Sequence, residues 1–425
     1  MTAQMNRRSL LGLGASLGIS VNFFGSQAFA ASEGDLAKKK LVVVVCRGGM
    51  DGLSVSPPVG DANYAKLRGS IAMQRDQVRM LDDTFGLHPE LKSVHALALK
   101  GEARIAPAIA SPDRARSHFE AQDVLETGSA HVYGVESGWL NRTLEALAPV
   151  RKVEGLSVGT TAPLILRGKV QAASWSPGKG VDETARLPTL LQDLYKNDPM
   201  LGPAFARGLE TETMAQTAMT ALSATPAMNV AAASTPAMPN APMPMSQTMA
   251  NDRQNRAGSE AARKLGSTLG GFMVQAGGPQ IAAISLDGFD THAGQPGQIA
   301  TRLSYMDAVL DGLHTGLGPE WKNTVVIAVT EFGRTARVNG TGGTDHGTGS
   351  TGLVLGGALK KGGIIGDWPG LADNALFENR DTAPTVDMRG LFKGVLAEHI
   401  GVDRAILENK VFPDSAAAKP VTGLV

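Results

Sequence analysis

Asp287-Gly288-Phe289-Asp290-Thr291-His292 follows directly on the apolar run Ile281–Leu286. Carboxylates and an imidazole at the exit of a strand are the oxygen and nitrogen donors that hold a hard or borderline cation on stiff backbone. Two further exits have the same character. Leu41–Cys46 runs through Arg47-Gly48-Gly49-Met50 into Asp51, and Val325–Val329 runs into Thr330-Glu331-Phe332-Gly333-Arg334. Another acid–imidazole pair, Asp345-His346, stands in a Gly-rich turn ahead of Leu353–Leu355. Ligands of open α/β sheets collect outside the carboxyl ends of the strands. These exits are therefore expected to converge on one metal site, and ester hydrolysis is the chemistry such a site suggests.

The elements that must position these residues alternate between strand-like and helix-like segments, the pattern of a parallel sheet covered on both faces. Leu41–Cys46 is nearly all apolar and β-branched, as a central parallel strand should be. His88–Lys100 reads as a helix, with Leu91, Val94, Leu97 and Ala98 at helical spacing and Gly101 as its stop. Arg104–Ala110 reads as a strand, and a helix is expected to open near Ser117 and end before Gly128. Trp139–Leu147, Gln298–Leu317 and Met388–Ile400 carry further helices, while Leu156–Val158, Leu164–Leu166 and Leu353–Leu355 read as short strands. Residues 214–250 differ: charge is nearly absent, seven of the 16 methionines fall there, and prolines recur, which predicts a flexible low-complexity insertion.

Asn6-Arg7-Arg8-Ser9-Leu10-Leu11 is a twin-arginine pattern ahead of a weakly apolar, Gly-rich stretch, and Ala28-Phe29-Ala30 has the small residues of a cleavage site. Residues 1–30 are therefore expected to engage the twin-arginine export machinery, leaving one α/β domain over 31–425 in the periplasm or secreted. The stretch is too short and Gly-rich for a transmembrane helix, so no stable membrane insertion is expected. With 40 basic and 40 acidic residues the formal charge is zero, and nothing points to nucleic acid as a partner. The single cysteine, Cys46, excludes an intramolecular disulfide and is expected to be a buried apolar thiol.

The order of strand, Asp290-Thr291-His292, helix, strand, Glu331, Gly-rich turn and Asp345-His346-Gly347 resembles the alkaline phosphatase superfamily, which includes the sulfatases. More narrowly, Arg47–Leu53, Ser117–Gly128, Asp290-Thr291-His292, Glu331–Thr335 and Asp345-His346-Gly347 resemble the exported domain-of-unknown-function 1501 proteins. The resemblance implies a three-layer alkaline phosphatase-like α/β fold with a mostly parallel central sheet. It implies a divalent cation (Zn²⁺, Mg²⁺, Mn²⁺ or Ca²⁺) held among Asp51, Asp287, Asp290, His292, Glu331, Asp345 and His346. It also places a nucleophile at a helix start, where Ser117 is the matching residue, with His118 and Arg334 as catalytic candidates and Arg114 and Arg116 near enough to attract an anion. Two departures stand out. The family's metal-binding Asp-x-x-x-His spacing is one residue longer in Asp287-to-His292 and shorter in Asp290-to-His292, and Phe332 stands where the enzymes carry a histidine.

Two functions remain open on these residues. One is an exported metal-dependent hydrolase of phosphate or sulfate esters, small or polymeric, using Ser117 or an activated water. The other is a non-catalytic exported binding or envelope-assembly protein that keeps the fold. Structural alternatives stand beside each assignment: Ser117 as a helix cap, Glu331 and Arg334 as an ion pair, Asp51 as a turn cap.

Overall fold

The computed structural model describes residues 38–148, 155–158, 163–175 and 247–425. The expected leader at 1–30 lies outside them, as does most of the insertion at 214–250, whose last residues already belong to a long helix.

The elements that matter run as follows: β1 (Lys40–Cys46), α1 (Lys92–Leu99), β2 (Ala103–Ala110), α2 (His118–Thr127), α3 (Trp139–Leu147), β3 (Gly155–Val158), β4 (Ala173–Trp175) and α4 (Gln247–Val274). Then come β5 (Ile281–Leu286), α5 (Gln295–Leu317), β6 (Thr324–Val329), β7 (Ser350–Leu355), β8 (Gly363–Ile364), β9 (Val386–Asp387) and α6 (Met388–Val395). The strands form one sheet in the order β8-β2-β7-β6-β1-β5-β3-β4, with β9 also paired to β2. All the pairings are parallel except those of β7, which runs against both β2 and β6. This is the three-layer α/β architecture with a mostly parallel sheet that the alternating pattern predicts.

The period-two alternation of β1 builds both faces of the core. Val42, Val44 and Cys46 pack with residues of α1, α4 and α5, while Leu41, Val43 and Val45 pack with residues of α2, α3 and α6. Each β1 residue is buried, so the strand reads as an unbroken apolar run rather than an alternating one. Cys46 is buried as expected, and burial pushes its thiol well above the usual range.

Two local readings are corrected. Leu164–Leu166 is a 3₁₀ turn, not a strand: an apolar run of three residues has no periodicity to separate the two, and Pro163 opens the turn. The helix α4 has no counterpart in the sequence reading. Its interior glycines weaken a helix signal, yet they are what lets it approach α5. A Cβ on Gly270 would lie 2.7 Å from backbone atoms of Gly316 and Leu317, so the two helices touch main chain to main chain.

Candidate metal centre

Topology brings the acidic exits together. β1, β5 and β6 are adjacent and parallel, so Asp51, the segment Asp287–His292 and Thr330–Glu331 emerge side by side at one edge of the sheet. β2 points the same way, and the chain leaving it passes through Ser111–Ser117 into α2, whose first residue is His118. β7 runs the other way, so the turn leading into it delivers Asp345 and His346 to the same edge. That turn is closed by backbone hydrogen bonds of Thr335 to Asp345 (2.9 Å), Gly347 to Gly333 (2.8 Å) and Gly333 to Thr348 (3.0 Å).

Asp290 is the centre of the resulting cluster. Its Oδ1 lies 3.0 Å from His292 Nε2 and 3.2 Å from His346 Nε2, and its Oδ2 lies 3.6 Å from His118 Nε2. Ligand atoms of His118, Asp290 and His346 all fall within 4.8 Å of one another, and the Nε2 atoms of His292 and His346 are 3.0 Å apart. Every one of these rings is anchored through its other nitrogen. His118 Nδ1 donates to Glu331 Oε1 (2.9 Å), His292 Nδ1 faces Asp345 Oδ1 (3.4 Å), and His346 Nδ1 donates to the Arg116 carbonyl (3.0 Å). A carboxylate or carbonyl oxygen only accepts, so each Nδ1 carries a hydrogen, and the Nε2 atoms turn toward the Asp290 carboxylate, where either a proton or a bound cation must stand between nitrogen and oxygen.

That arrangement fits a divalent cation. The Nε2 atoms and a carboxylate oxygen stand about 3 Å apart, a spacing that one cation among them would satisfy at once, and His118 Nε2 is buried with no hydrogen-bond partner. Imidazoles oriented by an oxygen acceptor on the far nitrogen are the usual supports of bound metal. The half-exposed side chains of Asp290, His292 and Asp345 leave the cluster open to solvent.

The hydrogen bond to Glu331 raises the pKa of His118. Burial opposes the ionised form of Asp290, but the hydrogen bond and charge of Arg334, whose Nη1 is 2.8 Å away, outweigh it and hold the carboxyl below the ordinary range. Burial likewise opposes the charge on Glu331, yet donors from His118, Gly48 and Thr330 hold its carboxyl low. His346 is lowered by burial, and Asp345 is lowered chiefly by the hydrogen bond from Asn339. Phe332 walls the pocket, its ring centroid 4.8 Å from those of both His118 and His346. Gly48 is in the left-handed region (φ 114°), and a Cβ there would lie 2.5 Å from the Asp290 nitrogen. The loop after β1 thus closes directly on the residue that centres the site.

The family profile described as "Protein of unknown function (DUF1501)" matches residues 38–411. The chain belongs to this family. No curated protein matches this DUF1501 chain. Solved structures similar to it include the lipoteichoic acid synthase LtaP from Listeria monocytogenes, at 8% identity and TM-score 0.34 over 91% of this chain and 79% of that one. Another is a protein in the alkaline phosphatase superfamily from Vibrio parahaemolyticus, at 9% identity and TM-score 0.36 over 96% and 79%. The phosphonate monoester hydrolase of Agrobacterium radiobacter is similar at 10% identity and TM-score 0.32 over 86% and 74%. Likeness at this level says nothing of the chemistry of the DUF1501 chain, which has to be read from its own residues.

Of the residues expected at the site, Asp290, His292 and His346 meet in the cluster, and Asp345 and Glu331 stand behind its rings. Glu331 pairs with His118, not with Arg334, which pairs instead with Asp290. His118, expected as an acid–base group, faces Asp290 among the potential ligands. Asp287 is exposed, and among the described residues no hydrogen bond or ion pair joins it to the cluster. Ser117 occupies the N-cap position of α2, but its hydroxyl makes no capping hydrogen bond. Arg116 is engaged by Asp381 and Glu378, and Arg114 by main-chain oxygens of Ser111 and Asp113. Asp51 lies in a different buried group. Arg68 pairs with it, and Ser54 Oγ (2.6 Å) and Gln295 Nε2 (2.5 Å) donate to the same oxygen, Oδ2. Arg68, Gln295 and Asp381 carry no local signal in the sequence. They act across long separations, and only the fold reveals them.

Proposed function

We propose that the protein is an exported metal-dependent hydrolase of phosphate or sulfate esters, holding one divalent cation among Asp290, His118, His292 and His346. The observation that supports it is the convergence of three imidazoles on one carboxylate, every ring held by an oxygen acceptor at Nδ1. Nitrogen-rich sets favour a borderline ion such as Zn²⁺ over Mg²⁺ or Ca²⁺. When bound, such an ion supplies Lewis-acid polarisation of an ester oxygen and makes a nearby hydroxyl or water a better nucleophile.

The chain's own residues do the rest. Glu331, Asp345 and the Arg116 carbonyl hold protons at Nδ1, which keeps the Nε2 atoms free. Arg334 balances the charge of Asp290 and keeps it ionised. The nucleophile is Ser117 or a water: Ser117 stands at the start of α2, beside His118, where free N–H groups favour an anion. The open rim along Asp290, His292 and Asp345 admits an ester group, and Phe332 keeps the inner wall dry. Export rests on the twin-arginine pattern at Arg7-Arg8. Among the described residues no helix is long and apolar enough to cross a membrane.

The test is metal content followed by turnover. About one equivalent of a divalent ion, removable by chelation, together with hydrolysis of aryl phosphates or sulfates that returns on adding the ion, supports the reading. Protein that carries the ion but cleaves no ester supports the second reading, a non-catalytic exported binding protein. That reading is favoured by one observation: Asp51, at the exit of β1, already has a fixed cation in Arg68.

A further inference from the structure

We infer that Asp381 is a positioning residue for His346, acting through Arg116 and Arg380. The inference rests on reading the three imidazoles as a metal centre. His118 and His292 each have a carboxylate at Nδ1, whereas His346 has only a main-chain carbonyl, that of Arg116. A carbonyl orients a ring only as well as its own backbone is held. Arg116 has φ 58°, a left-handed conformation that a non-glycine residue seldom keeps without restraint from its surroundings.

The restraint comes from Asp381, whose side chain is fully buried. Its Oδ2 accepts from Arg116 Nε at 3.0 Å and lies 2.9 Å from Arg116 Nη2. The same oxygen accepts from Thr348 Oγ1 at 2.9 Å, two residues beyond His346. Arg380 Nη1 lies 3.3 Å from Asp381 Oδ1, and Arg380 Nη2 donates to the His346 carbonyl at 2.6 Å. One buried carboxylate therefore grips His346 from the ring side through Arg116 and from the main-chain side through Arg380 and Thr348. Glu378 also holds Arg116, at 2.5 Å, but it is exposed, so water and salt screen it. The consequence is chemical: His346 Nδ1 keeps a hydrogen on the Arg116 carbonyl, and Nε2 stays aimed at Asp290.

The experiment uses Asp381→Asn, with Arg380→Gln as a second variant at a partly exposed position and Glu378→Gln as a comparison. Nitrogen NMR of the metal-free protein reads the tautomer of His346, and competition against a chromophoric chelator reads Zn²⁺ affinity. The wild type is expected to carry a hydrogen on Nδ1, bonded to the Arg116 carbonyl. Asp381→Asn should lower the occupancy of hydrogen on Nδ1 and weaken Zn²⁺ binding up to about 10-fold, the low end for a direct outer-sphere partner, because Asp381 acts one contact further out. Arg380→Gln should weaken it several-fold, and Glu378→Gln should change neither reading. An unchanged tautomer and affinity in Asp381→Asn overturns the inference. If that variant does not fold, unchanged values in Arg380→Gln overturn it instead. Failure of the wild type to take up Zn²⁺ would sink the metal-centre reading, and the tautomer in metal-free protein would still decide the role of Asp381.

Discussion

Asp290 and Asp51 both stand just past parallel strands at the same edge of the sheet, yet they have opposite surroundings. Asp290 is half-exposed and faces the Nε2 atoms of three imidazoles, a set open to an exchangeable cation, proton or metal. Asp51 is buried against Arg68, a cation that is part of the chain and never titrates. The difference teaches that position at a strand exit selects a carboxylate for charge, and the partner decides whether that charge serves stability or chemistry. The two groups are also wired together. Gln295 donates to Asp51 and accepts from Thr344, which in turn receives a hydrogen bond from Arg334, the partner of Asp290.

The sharpest way to break the comparison is Arg68→Met. Removing one partner of a buried ion pair leaves the other charge uncompensated, and a loss of about 3–5 kcal/mol in folding stability is expected. Urea unfolding of the metal-free protein measures it. The double variant Asp51→Asn/Arg68→Met should recover a large part of the loss. If Arg68→Met instead costs under about 1 kcal/mol, the Asp51 group is not a structural ion pair and the contrast collapses.

His346→Ala should do the reverse. Its ring is a candidate ligand near the surface, so stability of the metal-free protein should move by about 1 kcal/mol or less. Affinity for Zn²⁺ should fall at least about 100-fold, close to 3 kcal/mol. Equal Zn²⁺ affinity in His346→Ala and the parent would remove His346 from the site, whatever ester activity remained.

Acid sensitivity gives a third and smaller contrast, away from both groups. His88 is buried, its Nδ1 accepts from the Glu90 nitrogen, and burial, only partly opposed by the Glu90 charge, lowers its pKa to about 4. The folded state therefore holds the neutral ring while the unfolded chain takes up a proton near pH 6.5. Its stability contribution is whole above that value, declines as pH falls, and levels off below about pH 4. The total is up to about 3 kcal/mol. His88→Gln should flatten that part of the pH–stability curve, and an unaltered slope would assign the acid sensitivity elsewhere.

Much of this was legible in the sequence, for physical reasons. β-branched apolar runs such as Val42–Val45 identify the central strands, and the residues just past them must lie at the sheet edge. Asp290 and His292, and His346 in the turn before an apolar strand, were therefore readable as residues that meet at that edge. The role of His118 was only half readable, because its partner Glu331 lies 213 residues away and turns the ring into the cluster. Arg68 was not readable at all: in Tyr64-Ala65-Lys66-Leu67-Arg68 it looks like any basic residue ending a short helix. Asp381 and Gln295 were hidden likewise, since their meaning depends on contacts spanning 265 and 244 residues. Phe332, the departure from the family pattern, became intelligible only as a ring packed between two imidazoles.

Ser117→Ala separates cap from nucleophile and carries the smallest expected change in stability. A capping serine that loses its hydroxyl costs a helix about 1 kcal/mol. Ser117 holds the N-cap position of α2 with extended backbone (φ −102°, ψ 126°), yet its hydroxyl accepts from no N–H of the first turn. Ser117→Ala should therefore unfold within about 0.5 kcal/mol of the parent and bind Zn²⁺ equally well. Any effect must then show in turnover. If Ser117 Oγ attacks the ester, the rate falls by orders of magnitude with the metal still bound, and the phosphorylated or sulfated serine that the parent forms in a burst disappears. If water attacks instead, the rate stays within a few-fold and the parent shows no burst. A stability loss near 1 kcal/mol with full activity would return Ser117 to the structural side, leaving the open half of the comparison to Asp290 and its imidazoles alone.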